Sequence, residues 1–293
     1  MSFGAKLATG VCSPKSVIWH LLKRRNQRRA TSVMSADWDT LILLDGCRAD
    51  LFEVVSDLDG EYETVRSLGT HTGEFLSENF GNGVHFDTVY LSANPQVVNH
   101  GVDTNFHRCE FLWESHWDDE LRTVPPERVS RRLVDAQEEY PHKRLIAHYI
   151  QPHYPFIGQT GRAIEHGSMT GDGLIATERD HDSIWNRLEA GEVSKDAVWA
   201  AYRENLKIAF DSLADIVPRL TGKTVVTSDH GNALGEWGIY GHPGGKHIES
   251  LYLVPWLEFD ADERREIVSD PPEHTQAQDV EERLEALGYA AEE

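Results

Sequence analysis

Beyond Asp37 the chain keeps one rhythm: a short apolar run ends abruptly in polar residues, and a longer stretch of helical periodicity follows. The runs are DTLILLDG (39–46), FDTVYLSAN (86–94), RLIAHYIQPH (144–153) and KTVVTSDHG (223–231). Each is the length of a buried strand and too short for a buried helix. Between them, VPPERVSRRLVDAQEEY (124–140) starts on proline and spaces its apolar residues for one helix face. The stretch 194–220 does so more clearly, with Val198, Tyr202, Leu206, Ala209 and Leu213 on one side. Alternating strand and helix predicts an α/β fold, a mostly parallel central sheet flanked by helices on both faces. ESLYLVPWLEF (249–259) reads as one more strand and DVEERLEALGY (279–289) as a closing amphipathic helix. The glycine-rich stretch 166–183 reads as a surface excursion near the mouth of a site.

Charge divides the chain in two. Residues 1–36 hold seven Lys or Arg and no acid, which leaves a formal charge of −28 beyond Ala36. We therefore separate a basic N-terminal tail (1–36) from a catalytic domain (37–293). An acidic body repels nucleic acid, and its charge density resembles the hydrated surfaces of proteins from salt-loving organisms. Within the tail, SVIWHLLKRRNQRR (16–29) joins a short apolar patch to five basic residues. That is compatible with peripheral contact to an anionic membrane or an acidic partner, and equally with a solvated tail or a helix packed on the body.

Cys12, Cys47 and Cys109 are scattered, with no CxxC pair. They form neither a zinc ribbon nor a disulfide framework, and the expected location is cytoplasmic, with membrane association left open. No run reaches the roughly eighteen apolar residues that span a bilayer.

Parallel strands present their carboxyl ends along one sheet edge, so polar residues there converge although distant in sequence. The first strand ends in Asp45, with Arg48 and Asp50 just beyond. The third delivers His148 and His153, and the fourth Asp229 and His230. Two carboxylates and an imidazole suit a divalent cation (Zn, Mn, Mg or Ca), which removes the repulsion that would otherwise force a proton onto one acid. RSLGTHTGEFL (66–76) places hydroxyls at a helix start, where backbone N–H groups favour an anion. The bland readings are a capping role for Thr70, a surface ion pair for Arg48 and structural roles for His71 and His148. Trp113, Trp117 and Trp237 read as packing.

Taken in order, LILLDGCRAD, SLGTHTGEFL, YIQPHYPF, AYRENLKIAFDSL and VVTSDHGNALGEWGIYGH…VPW resemble the sulfatase-like branch of the alkaline phosphatase superfamily along nearly all of residues 37–289. The resemblance implies an alkaline-phosphatase-like fold and a metal held by Asp45, Asp229 and His230, with a second metal open. The C-x-P-S-R pattern of formylglycine sulfatases is missing. The turn is closer to that of lipoteichoic acid synthase, which implies a metal-bound threonine nucleophile at Thr70, with Thr72 and Ser67 as alternatives. His153, His242 and Arg48 would contact the substrate, with His247 a weaker candidate. The expected activity is a metal-dependent hydrolase or transferase of phosphate mono- or diesters. Sulfate-ester hydrolysis and non-catalytic anion binding are the alternatives. The substrate is expected to be a small-molecule or a glycan- or lipid-linked ester.

Overall fold

The computed structural model describes residues 14–164 and 183–272. Nine strands are present among them: β1 Thr40–Asp45, β2 Glu61–Arg66, β3 His85–Ser92, β4 Phe106–Phe111, β5 Arg144–Pro152, β6 Thr224–Ser228, β7 Ala233–Leu234, β8 Tyr240–Gly241 and β9 Leu253–Phe259. Seven form one sheet in the order β2-β9-β6-β1-β5-β3-β4, and β7 with β8 makes a small hairpin. β1 lies at the centre, parallel to β5 on one side and β6 on the other. Every residue of TLILLD is buried, as a strand covered on both faces requires.

Within the seven-stranded sheet, the two strands that apolar patterning does not announce are the two edges. EYETVR (β2) is largely exposed, and FHRCEF (β4) is buried fully only at Phe106. Edge strands face water and carry charges that discourage pairing with another chain, so they lack the hydrophobic signal of the central strands. β9 begins later than the expected 249, because Glu249–Tyr252 forms a helical turn first, and it runs antiparallel to β6 and β2.

Helix Lys195–Ile216 opens on Ser194, whose hydroxyl accepts from the Ala197 N–H, and it buries the predicted stripe Val198, Tyr202, Leu206, Ala209 and Leu213. It packs on β5 beside helix Pro126–Glu139, and Ser130 of that helix bonds both Tyr149 Oη and Ser212 Oγ. Residues 14–27 form a helix tied to the body, with Asn26 Nδ2 donating to the Ser67 carbonyl and Lys23 2.6 Å from Glu74. The excursion expected over 166–183 falls, except for Ser183, outside the described residues, as does the expected helix 279–289.

Asn205 shows how the helix layer positions a functional loop. Its Nδ2 donates to the carbonyls of Pro152 (3.0 Å) and His153 (2.9 Å), and its Oδ1 accepts from the Ile157 N–H (3.0 Å), all in the interior. Replacing Asn205 by alanine leaves these groups unpaired and is expected to lower stability by about 2–4 kcal/mol, read from denaturant unfolding. A loss below about 0.5 kcal/mol would mean that the loop satisfies itself without this side chain.

Candidate metal centre

Asp45 is the last residue of β1, and Asp229 follows the last residue of β6. Because Leu44 pairs with Ser228, the two acids stand level on neighbouring strands. Asp45, Asp229 and His230 are all buried, and one ligand atom from each lies within 4.8 Å of the others. The surroundings decide which atoms those are. Asp229 Oδ1 accepts from the N–H groups of Gly46 (2.9 Å) and His230 (2.8 Å), which leaves Oδ2 with no hydrogen bond. Asp45 Oδ2 accepts from Asn94 Nδ2 at 2.6 Å, which leaves Oδ1 with none. His230 Nδ1–H donates to the Gly231 carbonyl (2.8 Å), so the bare Nε2 faces Asp45 Oδ1 at 3.5 Å and Asp229 Oδ2 at 3.4 Å. Each ligand thus spends one atom on an orienting bond and presents the other. Gly46 is needed for this: its φ is +66°, and a Cβ there would meet Asn232 Nδ2 at 2.5 Å.

Burial, then the neighbouring Asp229 charge, pushes the Asp45 carboxyl well above the usual carboxylate range. Burial also acts to raise Asp229, but attraction to His230 and His148 and the Gly46 N–H bond outweigh it, so the net shift of that group is downward. At this separation two carboxylates repel by about 3 kcal/mol at an effective dielectric of about 20. Two bare oxygens and an imidazole lone pair converging in a dry site fit a divalent cation, with a donor set suited to Zn, Mn, Mg or Ca.

The hydroxyls of the GTHT turn separate cleanly. Thr70 Oγ1 donates to Glu74 Oε2 (2.9 Å), which also takes the Thr70 N–H (3.0 Å). Ser67 Oγ donates to the Asp229 carbonyl. Thr72, the first residue of helix Thr72–Phe80, places its Oγ1 3.2 Å from His230 Nε2. It is Thr72, and neither Thr70 nor Ser67, whose hydroxyl is brought to the cluster.

A second imidazole faces His230, and a third adjoins the second. The His242 ring centre lies 4.6 Å from that of His230 and 5.1 Å from that of His153. His242 Nδ1–H donates to Asn232 Oδ1 (2.7 Å) and His153 Nδ1–H to the Tyr154 carbonyl (2.6 Å), which leaves each Nε2 uncommitted. Burial holds both rings neutral, His153 at about 4 and His242 well below the ordinary histidine value. Arg48 is engaged elsewhere. Its guanidinium bonds Asp50 (2.7 and 2.8 Å), Glu236 (2.8 Å) and the Asn232 carbonyl (2.9 Å), bracing the loop after β6. His247 stands 3.7 Å from Glu74 and outside the cluster. Trp113 is buried as expected, but Trp237 is not packed: a positive φ of 58° turns it outward and leaves it 87% exposed.

Sequence reasoning did not assign Asn94 and Asn232, which orient Asp45 and His242. It set aside His148 as structural. That residue lies fully buried beneath the cluster, with Nδ1 2.9 Å from Tyr90 Oη and Nε2 3.9 Å from Asp229 Oδ2. The only signal for either asparagine was its place beside a strand end, in SAN and DHGN.

Burial drives the His148 pKa from 6.5 to about 4. As pH falls the unfolded chain therefore takes up this proton first. The contribution to stability is complete above about pH 6.5, is lost as pH falls toward about 4, and reaches roughly 3 kcal/mol. In chelator-treated protein the melting temperature is expected to drop across that window, and His148→Gln to flatten the drop. An unchanged acid limb in the variant would assign the effect to other groups.

No protein-family model matches the chain, and no curated protein sequence does. Solved structures do. The soluble domain of lipooligosaccharide phosphoethanolamine transferase A from Neisseria meningitidis is 14% identical, covering 81% of this chain and 81% of its own, at a TM-score of 0.51. The integral membrane form of that transferase is 14% identical, covering 81% of this chain and 50% of its own, at 0.52. The C-terminal periplasmic domain of phosphoethanolamine transferase EptC from Campylobacter jejuni is 18% identical, covering 76% and 78%, at 0.48. The cytoplasmic expectation is corrected: the Neisseria transferase whose fold this chain shares is, in its full form, an integral membrane protein, which gives a cytoplasmic location no support. Scattered cysteines exclude a disulfide framework but do not specify a compartment. No helix among the described residues is long and apolar enough to cross a membrane. The chain has the mostly parallel, helix-flanked sheet of the Neisseria transferase domain, the alkaline-phosphatase-like fold that its strand-end motifs implied.

Proposed function

We propose that this protein is a metal-dependent phosphoric-ester hydrolase or transferase in which Asp45, Asp229 and His230 hold one divalent cation and Thr72 is the nucleophile. The observation that carries this reading is the convergence of two unbonded carboxylate oxygens with His230 Nε2, whose partner is the Thr72 hydroxyl at 3.2 Å. A bound divalent cation would supply Lewis acidity, easing loss of a hydroxyl proton and offsetting negative charge on the ester.

The remaining chemistry belongs to the chain's own groups. Thr72 Oγ1 attacks phosphorus in line, and the ester oxygen leaves. His153 or His242 takes the Thr72 proton on its bare Nε2 and returns it to the departing alkoxide, so that the leaving alcohol departs neutral. Water or an acceptor alcohol then attacks the phosphothreonine and restores the hydroxyl. Thr70 serves the turn instead, through Glu74, and Arg48 positions the loop that carries Asn232 and, through it, His242. A threonine ester favours phosphorus over sulfur, because formylglycine releases sulfate from its own hemiacetal and threonine cannot. The Neisseria neighbour is by name a lipooligosaccharide phosphoethanolamine transferase, which supports phosphoester transfer and a glycan- or lipid-linked substrate.

A panel of aryl phosphate, phosphodiester and aryl sulfate esters, each with and without Mn or Zn, tests the proposal. Turnover of phosphorus esters that vanishes with chelator is expected. Turnover confined to sulfate, or untouched by chelator, would overturn it.

A further inference from the structure

A second concave feature lies away from the metal centre. A groove of about 870 Å³ opens between helix Pro14–Gln27 and the sheet edge near β2 and β9. One wall carries Trp19 and Leu22, and Arg25, Arg29 and Arg66 also line the groove. The Arg66 guanidinium lies 4.7 Å over the Tyr252 ring and donates to Asn26 Oδ1 at 3.4 Å. Among the described residues none of these three arginines is paired with a carboxylate, in a chain of formal charge −21. Of the four acids that also line it, Asp50, Glu53, Glu236 and Glu249, the first three are engaged. Asp50 and Glu236 pair with Arg48 at 2.7 and 2.8 Å, and Glu53 accepts from Tyr62 Oη. Ile18 and Trp237, which line the groove, are 55% and 87% exposed, and Leu21, on the same helix as Ile18, is 60% exposed.

We infer that this groove and its rim are a docking site for an anionic lipid at a bilayer surface. Unpaired arginines take the phosphate head, while exposed aliphatic and indole side chains enter the headgroup boundary, the combination that marks a helix lying in an interface. Charge complementarity selects the face: the body beyond Ala36 is strongly acidic, so an anionic surface attracts the protein through the basic helix and repels the rest. An acidic protein partner would match the arginines but leave the exposed Ile18, Leu21 and Trp237 without a role. The inference does not depend on the metal centre or on turnover.

Co-sedimentation of the full chain with vesicles of phosphatidylcholine plus phosphatidylglycerol, against phosphatidylcholine alone, tests it. Binding to the anionic vesicles only is expected, weakening as salt rises. Arg25→Ala with Arg29→Ala should weaken it by about fivefold per arginine, and Leu21→Ser should weaken it further. Lys207→Ala, on an exposed face of another helix, should leave it unchanged. Circular dichroism confirms that each variant is folded. Equal binding to neutral vesicles, or indifference to the arginine pair, would overturn the inference. So would competition by free glycerol phosphate at matched concentration, which would mark a site for the soluble head alone. Binding that emerges only when residues 1–13 are removed would show the groove filled by the chain itself. A self-association lost in the arginine variant, without lipid binding, would assign the groove to a second copy.

Discussion

Asp229→Ala is expected to abolish metal uptake and ester cleavage together, with turnover down on the order of 10⁴-fold or more, the scale seen when one member of a cooperative catalytic set is removed. The reason is geometric. Asp229 Oδ2 is one of the three presented atoms, and Oδ1 holds the backbone of Gly46 and His230 in register, so its loss removes a ligand and loosens the other two. Asp229→Asn separates these roles, because its amide oxygen can still accept from Gly46 and His230. It should stay folded, lose metal in calorimetric titration and lose turnover. In chelator-treated protein this variant should match or exceed the parent in stability by about 1–3 kcal/mol, since it removes like-charge repulsion in a dry site. Loss of activity with gain of metal-free stability would mark the carboxylate pair as functional. Retained turnover in either variant would remove the metal mechanism.

The second large effect is expected at Thr72. Thr72→Ala should keep metal affinity within about tenfold and lose turnover on the order of 10⁴-fold, with Thr72→Ser restoring part of it. Thr70→Ala loses only the bond to Glu74, costs about 1 kcal/mol of stability, and should keep turnover within about tenfold. The reverse pattern would return the nucleophile to Thr70 and show that the turn rearranges when a cation binds.

These two threonines also show where sequence reading stops. β1, β3, β5 and β6 were legible because each is a buried apolar run that ends in polar residues, and Asp45, Asp229 and His230 were legible because parallel strands must bring such ends together. Spacing cannot tell which hydroxyl of GTHT faces the cluster, because the choice depends on where the helix begins, and each residue turns a helical side chain by about 100°. Arg48 looked like an anion clamp for a similar reason. Its partner Glu236 lies 188 residues away, and nothing local to Arg48 reports that pairing. Edge strands β2 and β4 were silent because water, not core, surrounds them. The orienting asparagines were silent because an amide at a strand end has no pattern until its acceptor is known.

The proposed activity depends on a cation held between the ends of β1 and β6. A crystal structure of the protein loaded with Mn or Zn, with anomalous scattering recorded at the metal edge, tests that most directly. We predict a peak bounded by Asp45 Oδ1, Asp229 Oδ2 and His230 Nε2, with Thr72 Oγ1 the nearest hydroxyl. A peak elsewhere, no peak under saturating metal, or another hydroxyl against the ion would contradict it.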